Sequence, residues 1–504
     1  MTGTVAHKFE SPFAAVAQQD GAAEALREPL LVPSTADEEA TSSAPKLLPA
    51  KSRSVWRDMA SQAALAWPLV LNLLAAYSVS IISFSFVGHL GTKELAGAAL
   101  GNSFAGITAR YVLQGLCGGL DTQAAQAYGA GNYDALGPLF KRTLLFLWLH
   151  CLPITGVLLG APHVLRVLSR DEQLADQAHK YIVALIPAVW LDALARPLNR
   201  ILVAQRISKP QMVVSLLVVP LHVATTYGLI RVFGFTGAAL AVAASNLYIC
   251  VMTSTYIVWS GLAPRVFGGP WSRVFKGWGE MARLSYPAMV MRVAESAAYS
   301  AMTVIAAGLP NPDTSVAAIS VAFSTCAVFY MPFNAFGMTA CTQVGNLLGA
   351  GDGAGARTAA LASSLVGPLI WGLTASWLLE PHFQSAVISV FTSSTDPLLL
   401  GMLRPLLQLV AAVCLFDGTQ TILTGVVEGS GKQLHGGLIN LAVFYLWAVP
   451  LALYLGFSRG LGVVGMWAGM LSGSVLQALA YGAVCALIKW DKEAAKAVAR
   501  QSRI

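Results

Sequence analysis

Charged residues are scarce in this sequence. Asp, Glu, Lys and Arg together make up 11% of its 504 residues, and the mean hydropathy is +0.62. A soluble globular protein carries about 25% charged residues, so this composition excludes one or more large soluble domains. It also excludes disorder for most of the chain, and no basic stripe marks a surface for binding nucleic acid. These exclusions leave a protein that spans a membrane several times.

The sequence also lacks the patterns that hold metals or build a catalytic centre. Its seven cysteines all lie in or at the ends of apolar stretches, and no pair forms a Cys-x-x-Cys motif or has a zinc-like spacing with histidine. No histidine lies beside an acidic residue in a recognisable catalytic motif. We therefore expect a protein that is not an enzyme and that uses no cofactor and no bound metal.

Twelve apolar stretches follow a polar first segment. Residues 1–50 hold three basic and seven acidic residues and no sustained apolar run, which is typical of a disordered cytosolic tail. The remaining length suits about twelve spanning helices, at about 35–40 residues for each helix and its loop. The predicted spans are 61–86, 101–127, 143–165, 180–203, 211–231, 237–260, 284–308, 316–347, 358–379, 401–426, 436–456 and 463–488.

The distribution of Lys and Arg predicts the orientation of these spans. When the N-terminus is placed inside, most basic residues of the loops and flanks fall on the inner side. Both termini are then cytosolic.

An internal repeat divides the chain into two halves. The segments Asp121–Gly131 and Cys341–Gly351 share five identical residues at a constant offset of 220 positions, among them the Gly129/Gly349 pair. Six spans in each half return the chain to the same side of the membrane, so the two halves are parallel repeats related by an axis along the membrane normal. Two matched lobes around a shared cleft favour a transporter that works by alternating access.

Several motifs resemble one transporter family. They are Pro68-Leu-Val-Leu-Asn72, Phe86-Val-Gly-His-Leu-Gly91 and Gly119-Leu-Asp-Thr122 in the first half, and Tyr330-Met-Pro332, Gly345-Asn-Leu-Leu-Gly-Ala-Gly351 and Gly429-Ser-Gly431 in the second. Together they resemble the multidrug and toxic compound extrusion (MATE) family in its eukaryotic, plant- or algal-like form. The resemblance covers about residues 58–488.

The resemblance implies an all-α polytopic membrane protein, with twelve helices in two six-helix lobes related by a pseudo-two-fold axis along the membrane normal. The expected parts are a disordered cytosolic N-terminal tail (1–57), an N-lobe (58–260), a cytosolic inter-lobe loop (261–283), a C-lobe (284–488) and a cytosolic C-terminal tail (489–504). The implied function is export of drugs, toxins or secondary metabolites from the cytosol by H⁺-coupled antiport. Na⁺ coupling, an organic-anion exporter and a lipid-linked flippase remain as alternatives.

The expected partners are small organic substrates and the lipid bilayer, with no nucleic acid, and the chain is expected to act as a monomer. The plasma membrane and the vacuolar membrane are equally compatible with the sequence.

Two carboxylates within the spans are the candidate proton-coupling and substrate residues. A carboxylate at the bilayer centre costs about 2.5–3.5 kcal/mol on insertion scales. Glu295 lies eight residues after Pro287, which is about 12 Å into its span at 1.5 Å per residue. The resemblance assigns a functional role to Glu295 and to Asp417.

Four polar residues accompany them. Asn440 and Tyr445 match a stretch of the family's eleventh helix and are predicted to hydrogen-bond the carboxylates. Asn72 and Gln126 are the corresponding candidates in the N-lobe.

Two arginines depart from the family pattern. Arg292 lies three residues before Glu295, and Arg110 lies inside the second span. Each could pair with a carboxylate, contact an anionic substrate, or extend its guanidinium to the membrane interface. An ion pair between Arg292 and Glu295 would favour the ionised carboxylate.

Overall fold

The computed structural model describes residues 54–169, 172–391 and 396–501, and within these ranges the chain is helical and forms no strand. The predicted N-terminal tail therefore lies, as far as residue 53, outside the described residues.

Twelve long helices or helical runs make up the body of the protein. They are α1 (Val55–Gly88), α2 (a run of segments from Thr92 to Gly129), α3 (Leu136–Leu159), α4 (Glu172–Ala204), α5 (Lys209–Phe233), α6 (Thr236–Trp259), α7 (Trp278–Ala306), α8 (Pro312–Gly349), α9 (Gly353–Leu373), α10 (Pro397–Gly429), α11 (a run from Gln433 to Ser458) and α12 (Gly462–Leu487). In the described part of the chain, nine of them are long and apolar enough to cross a membrane by these criteria alone. The other three are α2, α7 and α9.

The observed helices differ from the predicted spans mainly at their ends. Helix α7 begins at Trp278 and takes Glu280 and Arg283 into its first turns, whereas an apolar criterion stops at such charges. The predicted inter-lobe loop is largely helical, because Ala263–Phe267 and Trp271–Val274 form short helices before α7. Its residues Val266 and Val274 are fully buried, so this connection is packed against the body.

Each lobe has its own hydrophobic core. Helices α1 to α6 form the N-lobe around one buried cluster, and α7 to α12 form the C-lobe around another. Many large apolar side chains remain exposed, for example Leu446 and Leu487, which are 78% and 79% exposed. Exposed apolar side chains in such numbers are expected where the solvent is lipid.

The internal repeat appears in the packing of α2 against α8. A Cβ on Gly129 would overlap the carbonyl oxygen of Asn346, and a Cβ on Gly349 would overlap that of Gln126. The offset that relates Gly129 to Gly349 also relates Gln126 to Asn346, so the two contacts are equivalent. The pseudo-two-fold axis therefore passes between α2 and α8, and glycine is what allows their backbones to touch.

The lobes meet at the end of the bundle where α1 begins and α12 ends, which we call the terminal end. There Gln343 Nε2 donates to Asp58 Oδ1 at 2.9 Å, and Gln62 Nε2 donates to Ser363 Oγ at 2.9 Å. Each of these hydrogen bonds joins α1 of the N-lobe to a helix of the C-lobe. The two lobes are thus in contact at the terminal end.

A short amphipathic helix, α13 (Trp490–Gln501), follows α12 where the sequence predicted only a tail. Trp490, Ala494 and Ala497 form its buried face. Arg500 contacts both lobes: its Nε lies 2.9 Å from Glu280 Oε1 of α7, and its Nη1 donates to Gln126 Oε1 of α2 at 3.0 Å. Helix α13 therefore bridges the lobes at the terminal end.

A second set of charges holds α13 to the C-lobe. Glu493 Oε1 lies 2.9 Å from both Lys432 Nζ and Lys496 Nζ. Burial raises the pKa of Glu493, but the hydrogen bonds from the two lysines outweigh burial and leave this pKa below its ordinary value. Glu493 is consequently ionised at neutral pH and anchors the helix.

Candidate functional site

Asn440 is the centre of a hydrogen-bond cluster in the C-lobe. Its Nδ2 donates to the carbonyl oxygen of Met291 at 3.0 Å and makes a longer contact of 3.5 Å with Glu295 Oε2. Its Oδ1 accepts from Gln477 Nε2 at 2.8 Å and from Tyr481 Oη at 3.0 Å. Asn440 of α11 is therefore held by α7 and α12, and its amide nitrogen lies 3.5 Å from the carboxylate of Glu295.

Tyr445 lies beside this cluster but does not touch the carboxylate. Its hydroxyl donates to the carbonyl oxygen of Ala294 at 3.2 Å, one residue before Glu295. Tyr445 belongs to the π-helical segment Ala442–Ala448, which follows Asn440 almost directly. Single π-helical turns within α-helices are frequent at functional sites.

Asp417 is buried on α10, with 4% of its surface exposed. The hydroxyls of Tyr299 and Ser474 lie beside it and contact each other at 3.3 Å. Within the described ranges, its Oδ1 has no hydrogen-bond partner. Because buried polar atoms normally have a hydrogen-bond partner, this unpaired oxygen distinguishes Asp417 from a structural carboxylate whose two oxygens are both bonded.

Of the roles that the sequence left open for Arg292, the structure shows an ion pair, but with a carboxylate of another helix. Its Nη2 lies 3.2 Å from Glu428 Oε1 on α10, and among the described residues Glu428 is the carboxylate within ion-pair distance of it. Glu295 shares a helix with Arg292 and interacts with its charge at longer range, while its Oε2 contacts Asn440. Sequence spacing within α7 could not predict this, because Glu428 belongs to a different helix.

Glu428 itself was not among the predicted site residues. Its backbone oxygen accepts from Thr122 Oγ1 of the N-lobe at 2.7 Å and from Gln433 Nε2 at 3.2 Å. The Arg292–Glu428 pair therefore lies where α10 meets the other lobe. A carboxylate near the end of a largely apolar span was the available signal in the sequence.

Gln477 and Tyr481 were missed as well. Both are buried on α12 and both donate to Asn440. A glutamine in the middle of an apolar span is the pattern that could have identified Gln477.

The predicted N-lobe residues lie apart from the C-lobe cluster and from each other. Asn72 Oδ1 accepts a hydrogen bond from Ser215 Oγ between α1 and α5. Gln126 Nε2 donates to the backbone oxygen of Gly429 at 3.1 Å, in the contact between the lobes. Gln126 thus belongs to the terminal-end closure rather than to a cleft.

Arg110 lines a cavity of about 220 Å³ inside the N-lobe. Its Nη2 donates to Asn102 Oδ1 at 2.8 Å. The same cavity is lined by Asp192 and Arg196, which form an ion pair of 2.6 Å at i and i+4. Arg110 and Arg292 therefore occupy separate lobes and separate surroundings.

Comparisons with known proteins agree with this architecture. A model of the MatE family matches residues 68–228 and 287–454, one segment in each lobe. Protein DETOXIFICATION 13 of Arabidopsis thaliana is 32% identical over 477 residues, which cover 92% of this chain and 98% of the relative. Protein DETOXIFICATION 52 of the same plant is 32% identical over 438 residues, covering 86% of this chain and 85% of the relative.

A solved structure shows the same arrangement of helices. The crystal structure of the eukaryotic MATE transporter AtDTX14 matches with a TM-score of 0.84 at 28% identity, covering 89% of this chain and 99% of that one. The chain therefore belongs to the MatE family, the multidrug and toxic compound extrusion transporters, and it is an integral membrane transporter and not an enzyme.

Proposed function

We propose that this transporter exports organic solutes from the cytosol by antiport with protons, and that Glu295 and Asp417 bind the coupling proton. The observation that carries this proposal is the placement of two carboxyl groups inside one lobe, Glu295 against the Asn440 amide and Asp417 buried with an oxygen left without a donor in the described part of the chain. Ionisable groups inside a membrane are retained for a function by default.

The contact between Asn440 and Glu295 depends on whether Glu295 is protonated. Asn440 has its oxygen occupied by Gln477 and Tyr481, so its amide group is fixed as a donor towards Glu295. A hydrogen bond to an ionised acceptor is roughly twice as strong as one to a neutral acceptor. Protonation of Glu295 therefore weakens its contact with Asn440, one of the contacts between α7 and α11, close to the π-helical segment Ala442–Ala448.

A second link leads from Glu295 to the contact between the lobes. Arg292 is three residues away on α7 and interacts with the charges of both Glu428 and Glu295. When Glu295 takes up a proton, it loses its charge, and of these two carboxylates Glu428 alone still attracts Arg292. The backbone oxygen of Glu428 accepts from Thr122 of the N-lobe, so this change in charge occurs where the lobes touch. It biases the equilibrium between two arrangements of the lobes.

The proposal also includes an orientation. With both termini in the cytosol, the terminal end faces the cytosol, and the arrangement described above is closed on that side. A single chain holds both lobes and both carboxylates, so a monomer suffices. The plasma membrane and the vacuolar membrane both fit this orientation.

The test is efflux from proteoliposomes driven by a pH gradient. Probes of opposite permanent charge, benzenesulfonate and ethidium, would show which solutes are carried. Glu295→Gln and Asp417→Asn are expected to reduce pH-driven efflux to the rate of empty liposomes. Glu172→Gln is the matched control, since the Glu172 side chain is 83% exposed, and it should transport like the wild type.

Two results would contradict the proposal. Wild-type efflux by Glu295→Gln would remove Glu295 from the coupling mechanism. Efflux driven by a Na⁺ gradient and unaffected by a pH gradient would replace the proton by Na⁺ as the coupling ion.

A further inference from the structure

The cavity in the N-lobe carries an uncompensated positive charge. Three charged residues line it: Arg110, Arg196 and Asp192. Arg196 and Asp192 neutralise one another in their 2.6 Å pair. Arg110 is hydrogen-bonded to the neutral amide oxygen of Asn102, and in the described ranges no carboxylate lies within 4.0 Å of it.

The position of Arg110 prevents its charge from reaching water at the membrane surface. It lies halfway along α2, which runs from Thr92 to Gly129. Long basic side chains reach the interface only from near the ends of a span. The guanidinium of Arg110 is therefore held at mid-depth, where its partly exposed side chain lines the cavity.

The backbone at Arg110 is also unusual. Residues Gly106–Arg110 form a π-helical turn inside α2. Such a turn is rare in α-helices and frequently lies at a functional site. Here the turn ends on the arginine that lines the cavity.

The rest of the lining combines polar groups with apolar walls. Ser80, Ser215 and Asn246 contribute polar groups, whereas Ala76, Val189 and Val218 belong to the apolar part. A pocket of this kind suits a small ligand that has one charged group and an apolar body.

We propose that the N-lobe cavity binds a small organic anion, with the carboxylate or sulfonate of the ligand on Arg110 and its apolar body against α1, α4 and α5. Guanidinium is the group best suited to hold a planar or tripodal oxyanion, since its donors are arranged as a fork. The bound anion supplies the negative charge that the cavity lining lacks. This inference rests on the transport function proposed above and names the substrate class for it.

Binding can be measured at equilibrium on the purified full chain in detergent, by titration calorimetry with benzenesulfonate. This probe is anionic at every pH used and carries one apolar ring. Phenyltrimethylammonium, which has the same ring and a positive charge, and inorganic sulfate serve as competitors. Neither is expected to displace benzenesulfonate.

The first variant is Arg110→Gln, which should weaken benzenesulfonate binding roughly tenfold to a hundredfold, the range for hydrogen bonds to charged groups. Arg404→Gln is the matched control, because Arg404 is exposed on α10 of the other lobe, and it should bind like the wild type. Ala76→Phe keeps every charge and fills the cavity from an exposed position, so it should abolish binding even if Arg110→Gln does not fold.

The proposal is overturned if Arg110→Gln and Ala76→Phe both bind benzenesulfonate like Arg404→Gln. It is also overturned if phenyltrimethylammonium or sulfate competes as well as unlabelled benzenesulfonate. Because this measurement uses no ion gradient, it is independent of coupling. A loss of pH-driven efflux with binding retained, and a loss of binding, are therefore separate results that distinguish failure of proton coupling from failure of the anion site.

Discussion

The guanidinium of Arg292 lies 3.2 Å from the carboxylate of Glu428 and joins α7 to α10 at the junction of the lobes. The side chains are 19% and 7% exposed, so both charges are largely removed from solvent. A buried ion pair adds little stability over a well-packed apolar pair, but breaking it leaves an uncompensated charge. The pair is therefore more informative when its two residues are changed together than when one is changed alone.

Arg292→Leu is expected to destabilise the protein by about 3–5 kcal/mol, because the Glu428 carboxylate is left without its partner. Glu428→Leu should destabilise the protein by a similar amount, because the Arg292 guanidinium is then left without its partner. The double variant should recover most of the loss, and thermal unfolding in detergent would measure all three. The exposed pair Arg166–Glu172, with side chains 59% and 83% exposed, is the control, where single changes should cost less than about 1 kcal/mol. Additive effects of Arg292→Leu and Glu428→Leu would show that the pair does not interact.

The number of helices and their division into two lobes could be predicted because both follow from local patterns. Apolar runs of sufficient length define spans whatever their neighbours are. The repeat between Asp121–Gly131 and Cys341–Gly351 can be recognised from the residue identities alone. The structure adds why the repeat holds glycine, since Gly129 and Gly349 each lie against a backbone carbonyl of the other lobe.

The partners of the site residues could not be predicted, because they come from other helices. The i, i+3 spacing of Arg292 and Glu295 allowed a pair among other roles, yet tertiary packing places Glu428 within ion-pair distance of Arg292. Asn440 and Glu295 were predicted to meet, and they do so through a 3.5 Å contact. The sequence predicts only a cytosolic tail at 489–504, although Trp490, Ala494 and Ala497 of α13 recur at the spacing of an amphipathic helix.

Helix α13 gives a second prediction, which concerns closure of the terminal end. Arg500→Gln removes the charge that binds Glu280 of the C-lobe and shortens the reach towards Gln126 of the N-lobe. Amide hydrogen exchange in residues 490–501 should then become roughly tenfold faster or more, the value expected from the loss of a hydrogen bond to a charged group.

Lys492→Gln is the control for this measurement, since Lys492 lies on the exposed face of the same helix. It should leave the exchange of α13 unchanged. Equal exchange rates in Arg500→Gln and Lys492→Gln would mean that Arg500 does not hold the helix in place.

The contact between α2 and α8 gives the last prediction. In Gly349→Ala the new methyl group overlaps the carbonyl oxygen of Gln126, and since this neighbour is backbone it cannot turn away. We expect a loss of about 1–3 kcal/mol in the free energy of unfolding, as for other overpacked sites. Gly129→Ala should have the same effect, because its clash with Asn346 is related by the pseudo-two-fold axis.

Gly228→Ala on α5 is the control, because its new Cβ has open space around it. It should be neutral or stabilising by up to about 1 kcal/mol, the helix propensity of alanine over glycine. Thermal unfolding of the three variants separates these outcomes, and equal midpoints for Gly349→Ala and Gly228→Ala would show that the lobes are not held as closely as the backbone contact implies.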